Sequence, residues 1–252
     1  MKKNNNAQMK MASLFFLTVF SLSAFAQGTK WGIKAGGNLS SLSDMVERYP
    51  KDDDGYHTTQ KDGSGQFLGF HVGVFANIHS KNWSNIINFQ PELLFSIQGG
   101  KHKRNEGLGG PIWQHLVFKF GYLQLPLLLE IKPIANLGFL VGPQFGLNIS
   151  RKVTVTFFDD YWDRIIVAYP NTNMKKSETK SGSDFDDEIF NGGLKKIDVA
   201  VVLGLQYSIQ RVTIGARYNL GLINGNDIPT GYGSATKGWR SNVIQASLGF
   251  SF

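Results

Sequence analysis

The sequence predicts an all-β protein, an eight-stranded antiparallel up-and-down β-barrel that spans a membrane after a signal peptide has been cleaved. Three observations predict it. Apolar and polar residues alternate over long segments of the chain, and about ten residues are what a tilted strand needs to cross a bilayer. Short and long connections follow one another in turn, as in outer-membrane barrels. The last segment, residues 242–252, alternates without a break and ends on Phe252.

Residues 1–26 have the features of a secretory signal peptide. Lys2, Lys3 and Lys10 form a positive region, an apolar stretch follows, and Ala24-Phe25-Ala26 matches an A-x-A cleavage site. The apolar stretch is shorter than the ~20 residues of a spanning helix, which disfavours the alternative of an uncleaved anchor. The predicted organisation is therefore a signal peptide over residues 1–26 and one barrel domain over residues 27–252.

The composition of the chain limits the partners that it can bind and the kinds of site that it can form. The chain has no cysteine, so disulfides, thiolate metal sites and cysteine-linked lipid are all excluded. Its formal charge is +7, and three of the lysines belong to the signal peptide. An exported chain with so mild a charge is not expected to bind nucleic acid. The mild excess of Lys and Arg suits a surface that faces phosphorylated glycolipid, so outer-membrane lipid and lipopolysaccharide are expected partners. Export combined with the strand pattern makes the outer membrane of a Gram-negative bacterium the expected location.

The first four predicted strands each have one apolar face. They are residues 31–40, 67–78, 87–98 and 116–132. Their apolar faces are Trp31, Ile33, Ala35 and Leu39; Leu68, Phe70, Val72 and Val74; Phe89, Leu93, Phe95 and Ile97; and Leu123, Leu125, Leu127 and Leu129. Apart from Leu94 and Leu128, the residues between them are mostly polar or small. A period of two is the pattern of a strand whose two faces meet different solvents.

The last four predicted strands repeat the pattern. They are residues 138–157, 197–209, 211–221 and 242–252. Their apolar faces are Phe139, Val141, Phe145 and Leu147; Val199, Val201, Leu203 and Leu205; Val212, Ile214, Ala216 and Tyr218; and Ile244, Leu248, Phe250 and Phe252. Short connections are predicted at 79–85, 133–137 and 210, and long loops at 41–66, 99–115, 158–196 and 222–241. A soluble lipocalin-like barrel remains the alternative, and it would turn the apolar faces inward.

The face opposite the apolar one carries charges of both signs together with many of the 29 glycines. A barrel of eight strands has an interior just wide enough for side chains to fill it. The sequence predicts a polar network in the lumen with a structural role, formed by Lys34, Gln90, Glu92, Glu130, Asp198 and Arg217. Within it, the three carboxylates are expected to surround Arg217, with Lys34 or Lys132 nearby. A gated ion path is the alternative role.

Aromatic residues lie near several strand ends: Trp31, Tyr122, Tyr207, Tyr218 and Phe252. A girdle at the membrane interface has this appearance. The ordinary β-propensity of aromatic residues explains the same distribution.

No enzyme motif is present in the sequence. The histidines, His57, His71, His79, His102 and His115, lack His-x-x-x-His spacing. His71 is expected in the polar lumen. The acidic runs at residues 52–55 and 184–188 fit solvated loops better than calcium sites. We therefore predict no catalytic, cofactor-binding or metal-binding residues and no cofactor.

Six segments in order resemble the PorT-like outer-membrane β-barrel family of Gram-negative bacteria. They are residues 32–40 (GIKAGGNLS), 90–96 (QPELLFS), 122–129 (YLQLPLLL), 142–146 (GPQFG), 204–207 (GLQY) and 216–222 (ARYNLGL). Glu130-Ile131-Lys132 departs from the family pattern, which usually has an earlier lysine. The resemblance implies an eight-stranded outer-membrane barrel of mostly undefined role, and one namesake member takes part in protein secretion.

Leu248, Phe250 and Phe252 resemble the C-terminal signal that the barrel-insertion machinery reads, so that machinery is an expected partner. The expected function is a non-enzymatic integral outer-membrane barrel with a structural, adhesion or partner-binding role, or one in small-solute passage. The loop at 158–196 is long for unstructured chain and is the expected site of contact with a protein partner. Two alternatives stay open: an outer-membrane enzyme acting on lipid A or phospholipid, and an accessory component of a protein-secretion apparatus.

Overall fold

The computed structural model describes residues 29–43, 63–79, 86–106, 112–134, 136–158, 177–181, 195–225 and 240–252. Every regular element in these ranges is a β-strand. None of the described residues belongs to a helix that is long and apolar enough to cross a membrane. The signal peptide predicted at residues 1–26 lies outside the described residues.

Ten strands follow one another along the described chain. They are β1 (Lys30–Ser43), β2 (Gly63–Gly65), β3 (Phe67–Asn77), β4 (Ile87–Glu106), β5 (Ile112–Ile134), β6 (Leu137–Phe158), β7 (Ser177–Ser181), β8 (Ile197–Ile209), β9 (Val212–Gly221) and β10 (Arg240–Ser251).

Eight of these strands form a closed antiparallel barrel, which confirms the predicted fold class. Around the wall the order is β1, β3, β4, β5, β6, β8, β9 and β10, so each strand pairs with its neighbour in the chain apart from the short β2 and β7. The first and last strands close the cylinder, with Ile33 opposite Phe250 and Leu39 opposite Ile244. Closure leaves no free edge in the wall, and hydrocarbon tolerates no such edge.

The side chains face the way a membrane barrel requires. Phe145, Leu203 and Ile214 point outward and are 45%, 55% and 58% exposed, while Glu92 and Arg217 point inward and are 2% and 5% exposed. Leucine, isoleucine and phenylalanine thus cover the outer wall, and charge is enclosed. A soluble ligand carrier would show the opposite arrangement.

The predicted loop at 99–115 is wrong, because most of it is strand. β4 continues to Glu106 and β5 begins at Ile112, with Lys101 opposite Val117 and Glu106 opposite Ile112. β4, β5 and β6 are 20, 23 and 22 residues long, about twice the ~9–11 residues that cross a bilayer. Residues 99–106 of β4 are glycine or polar throughout, so no apolar–polar alternation marks a strand there. The predicted loops at 41–66 and 158–196 likewise contain β2, which pairs with β4, and β7, which pairs with β6.

Tyr122 does not belong to an aromatic girdle. It points into the barrel and is 5% exposed, whereas Trp31, Tyr207, Tyr218 and Phe252 are exposed on the outer wall. Tyr122 has the same parity along β5 as Gln124, so it shares the inward face. Its place near a strand end suggested an interface, but its parity decides its direction.

Two adjacent glycines show how tightly the seam between β1 and β10 is packed. A Cβ at Gly36, which faces inward, would overlap the Ala246 carbonyl oxygen and would lie 2.7 Å from His71 Cε1. A Cβ at Gly37, which faces outward, would meet nothing within 4 Å. The same added methyl group is therefore a clash at one position and free at the next.

We predict that Gly36→Ala lowers the free energy of unfolding by about 1–3 kcal/mol, the usual cost of overpacking. Gly37→Ala is the matched control, and it should be neutral or gain roughly 0.5–1 kcal/mol because alanine restricts the unfolded chain more than glycine does. Urea unfolding of the refolded protein, followed by the change in gel mobility between folded and heated samples, measures both. Equal stability of the two variants would contradict the tight seam.

Candidate functional site: the barrel interior

The centre of the lumen holds a carboxylate between two cations. Glu92 points inward from β4, and its Oε1 lies 2.5 Å from Lys34 Nζ while its Oε2 lies 2.7 Å from Arg217 Nη1. Lys34 is on β1, and Arg217 is on β9, which stands four strands from β4 around the wall. The Glu92–Arg217 pair thus spans the full width of an eight-stranded barrel. Gln90 Nε2 donates a further hydrogen bond of 2.8 Å to Glu92 Oε1.

Both cations have additional support. Arg217 Nε donates to Gln245 Oε1 at 2.5 Å, and Lys34 Nζ lies 5.4 Å from the centroid of the Phe75 ring. Lys34, Glu92 and Arg217 are each almost fully buried. Charges so far from water are stable only when they are paired and hydrogen-bonded. Each of the three charges has an oppositely charged partner, while Arg217 Nη2 is buried without a hydrogen bond among the described residues.

Glu130 forms a second polar group nearer the inner end, where the short turns lie. Its Oε2 accepts hydrogen bonds from Asn77 Nδ2 at 2.7 Å and Asn88 Nδ2 at 2.8 Å, and it pairs with Lys132 Nζ at 3.0 Å. Gln206 Nε2 donates to Glu130 Oε1 and also, at 2.9 Å, to Gln90 Oε1. Gln90 therefore connects the Glu130 group to the Glu92 group.

Only one of the three carboxylates expected around Arg217 is there. Glu92 contacts it, Glu130 has the separate partners just described, and Asp198 is half-buried and forms no ion pair with Arg217 among the described residues. The reason is height along the barrel. On β8, Asp198 lies opposite Gly146, whereas the residue opposite Arg217 is Gly204. Six residues of strand separate these two levels by about 20 Å.

A third group, made of neutral side chains, lies farther toward the outer end. Asn38 is fully buried at its centre, with its Oδ1 2.7 Å from His71 Nδ1 and 3.0 Å from Gln245 Nε2. Its Nδ2 donates to Ser96 Oγ at 2.8 Å. His71 lies in the lumen, as predicted from the sequence. Asn38, Ser96 and Gln245 were not among the residues predicted to form the lumen network. Their parity on the inward face was the available clue.

Apolar side chains fill the outermost part of the lumen. Leu42, Phe118, Phe120 and Val243 point inward and are at most 3% exposed. The Phe120 ring centroid lies 6.3 Å from those of both Phe118 and Tyr122. The interior predicted from the sequence was charged and lined by glycine, and this apolar layer was not predicted. Phe118 and Phe120 have the parity of Gln124, so the clue was again present in the sequence.

The polar side chains of the interior are engaged with one another in ion pairs and hydrogen bonds. Ser96 and His71 both contact Asn38 and do not hydrogen-bond each other. The described part of the chain has no cluster of three His, Asp or Glu side chains able to hold a metal ion. His102 and His115 have side chains outside the described set. At the inner end a cavity of about 410 Å³ is lined by Lys30, Asn77, His79, Lys132 and other polar residues, and Lys34 lies at its boundary.

Comparison with known proteins gives one family. Residues 25–225 match the family model described as outer membrane protein beta-barrel domain. No curated protein matches the sequence.

Several solved outer-membrane proteins are similar to this chain at low sequence identity. Neisserial surface protein A is 11% identical, with a TM-score of 0.43 over 90% of this chain and 100% of that one. Ail, the attachment invasion locus protein of Yersinia pestis, solved with the heparin analogue sucrose octasulfate, is 14% identical, with a TM-score of 0.37 over 89% and 99%. OprG from Pseudomonas aeruginosa is 14% identical, with a TM-score of 0.35 over 88% and 95%.

We predict that Glu92→Ala lowers the free energy of unfolding by about 3–5 kcal/mol, because it leaves Lys34 and Arg217 buried without a counter-charge. Asp198→Ala, which removes a half-buried carboxylate that does not pair with Arg217, is the control and should cost well under half as much. Urea unfolding in one detergent compares them. Replacing Lys34, Glu92 and Arg217 together by methionine should restore most of the stability. Equal losses for the two single variants would contradict the central role of Glu92.

Proposed function

Since the chain belongs to the outer membrane protein β-barrel domain family, we propose that it is a non-conducting, non-enzymatic barrel whose working part is its outer end. It is an integral outer-membrane β-barrel protein of the Gram-negative type. The proposal concerns what the barrel does there.

The filled lumen is the observation that carries the proposal. Three polar groups, centred on Glu130, Glu92 and Asn38, cross the interior at successive levels, and Phe118 and Phe120 pack above them. A solute on its way through would have to separate buried ion pairs and displace packed aromatic rings. Small-solute passage is therefore the weakest of the expected roles, and structural support or surface recognition remains.

The outer end has the form of a platform for recognition. β4, β5 and β6 rise well beyond the length needed to cross the bilayer, and β2 and β7 pair with their outer parts. A paired sheet holds side chains at fixed spacing above the membrane, which favours adhesion or binding of a protein partner. Apart from β7, the loop at 158–196, expected to contact a partner, lies almost wholly outside the described residues.

The absence of an enzymatic role is also part of the proposal. A hydrolase of the serine type needs its nucleophile within hydrogen-bonding reach of a base, and here Ser96 and His71 each turn to Asn38 instead. An enzyme acting on lipid A or phospholipid is the rival, and it would need residues outside the described set, such as His102 and His115.

Within the family, we assign the chain to the PorT-like group. Support comes from the six segments that resemble it, two of which supply Gln90, Glu92 and Arg217 to the lumen network. A role as accessory component of a secretion apparatus is the alternative that this resemblance raises, and co-purification of secretion subunits from membranes would favour it.

The proposed partners at the membrane are its lipids, including lipopolysaccharide, and the barrel-insertion machinery. Leu248, Phe250 and Phe252 are exposed on the outer wall, and the Phe250 and Phe252 ring centroids lie 6.0 Å apart. This apolar row is accessible before β10 closes against β1, which suits recognition during insertion.

We predict that Phe252→Ala lowers the fraction of protein recovered folded in outer membranes several-fold. Ile33→Ala, which shortens an outward apolar residue opposite Phe250 on β1, is the control and should assemble nearly as the wild type. Fractionation of cells, followed by gel mobility with and without heating, measures both variants. Normal assembly of Phe252→Ala would remove the support for this recognition signal.

The main test of the proposed function uses purified protein in lipid bilayers that contain lipid A. We predict no stepwise current across a planar bilayer, because the three polar levels and the aromatic layer leave no continuous path. Lipids recovered from matching vesicles should keep their acyl and phosphate groups by mass spectrometry. A reproducible open channel would overturn the non-conducting role, and altered lipids would favour the rival enzyme.

A further inference from the structure

Three lysines stand together on the outward face of the longest strands. Lys101 is on β4, Lys119 on β5 and Lys152 on β6, and all three are exposed. Lys119 lies directly opposite Lys152, and Gly99, two residues before Lys101, lies opposite Lys119 on the other side. Adjacent strands therefore hold the three ammonium groups on one patch of the outer wall.

This arrangement lacks compensation within the described chain. Like charges directly opposite each other on a sheet repel and destabilise the pair. No acidic side chain among the described residues forms an ion pair with any of the three lysines. The residues opposite Lys101 and Lys119 on the neighbouring strand are Gly65 and Gly99, and neither has a side chain to cover the lysine. The patch thus presents an open, concentrated positive charge.

The height of the patch indicates what meets that charge. Two residues toward the membrane from the Lys119–Lys152 pair, Gly121 lies opposite Ser150, and below them Leu123 lies opposite Leu147. Both leucines are exposed on the outer wall. The lysines therefore begin where the apolar band ends, at the end of the barrel that carries the long strand extensions. In an outer-membrane barrel that end faces outward, so the patch lies at the headgroups of the outer leaflet.

Between the lysines and the leucines, Gly121 is buried beneath side chains of the neighbouring strands. Gly121 has no side chain, and a Cβ there would lie 3.7 Å from Ile97 Cδ1 and 3.8 Å from Phe95 Cε2. The Cβ of Ser150, which is an exposed residue, would lie 3.1 Å from that added Cβ. The hydroxyl-bearing side chain of Ser150 thus lies beside the apolar side chains of Ile97 and Phe95, two residues along the strands from the Lys119–Lys152 pair.

We propose that Lys101, Lys119, Lys152 and Ser150 form a binding site for a phosphate group of an outer-leaflet glycolipid. The phosphate neutralises the ammonium groups and so relieves the repulsion between them. Ser150 donates a hydrogen bond to the phosphate, and an acyl chain of the lipid lies along Leu123 and Leu147. This site identifies which chemical group of the membrane lipid the protein contacts. It rests on the proposed function, in which the end of the barrel with the long strands faces the outside of the cell. It does not depend on whether the lumen conducts.

Native mass spectrometry of the full protein in detergent tests the site, with diphosphorylated lipid A and chemically dephosphorylated lipid A as probes. The wild type should retain the phosphorylated lipid at least tenfold more strongly, and its retention should fall as ionic strength rises. The double variant K119Q/K152Q should lose about tenfold of that preference. The conservative variant K119R/K152R should keep it, because arginine also pairs with phosphate.

The control variant K30Q/R211Q removes the same charge from the opposite end of the barrel, where Lys30 and Arg211 are exposed. It should bind phosphorylated lipid A within twofold of the wild type. Equal retention by K119Q/K152Q and the wild type, or equal binding of both lipids by the wild type, would overturn the site. A loss shared by both double variants would show attraction by net charge alone and would overturn it as well. Bilayer current measured on K119Q/K152Q keeps this result separate from the non-conducting role.

Discussion

A backbone that crosses hydrocarbon must satisfy all of its amide and carbonyl groups within the protein, and the rest of this structure depends on that constraint. The pairing of β1 with β10 meets it by closing eight strands into a cylinder, so no strand in the wall keeps an unpaired edge. Closure at eight strands also fixes the width of the interior, which is just enough for side chains to fill. The choice of small residues on the inward side of β1, Gly36 above all, follows from that width.

In a narrow interior that is cut off from bulk water, every polar group that lacks a partner raises the free energy of the folded state. An unpaired charge there is costly, so the fold is stable only if each charge meets its partner from another strand. Glu92 satisfies this by joining Lys34 to Arg217 across the full width of the barrel, and Glu130 does so through amides and Lys132. The same contacts that hold the wall together also occupy the path a solute would take. The contacts that stabilise the barrel are therefore also the ones that fill its lumen.

The sequence predicted the direction of side chains well and their height poorly. A period of two is written into each strand, so the outward position of Phe145 and Leu203 and the inward position of Glu92 could be read without a structure. Which inward residues meet depends on strand register, which the pattern does not contain. Asp198 was therefore expected beside Arg217 although about 20 Å of strand separates their levels. The outer part of β4 was not predicted for another reason, because residues 99–106 are glycine or polar throughout and show no apolar–polar alternation.

Charged residues inside the wall and outside it differ in where their counter-charge comes from. Lys34 is enclosed, and the fold itself had to supply its counter-charge from Glu92. Lys119 and Lys152 face outward at the edge of the apolar band, where the protein can leave the counter-charge to the membrane. Two lysines placed opposite each other with no acid between them are a poor arrangement for a soluble sheet, but a suitable one where phosphate groups are abundant. The outer wall therefore matches the outer leaflet in two ways. Its apolar residues match the hydrocarbon, and its lysines match the negatively charged headgroups.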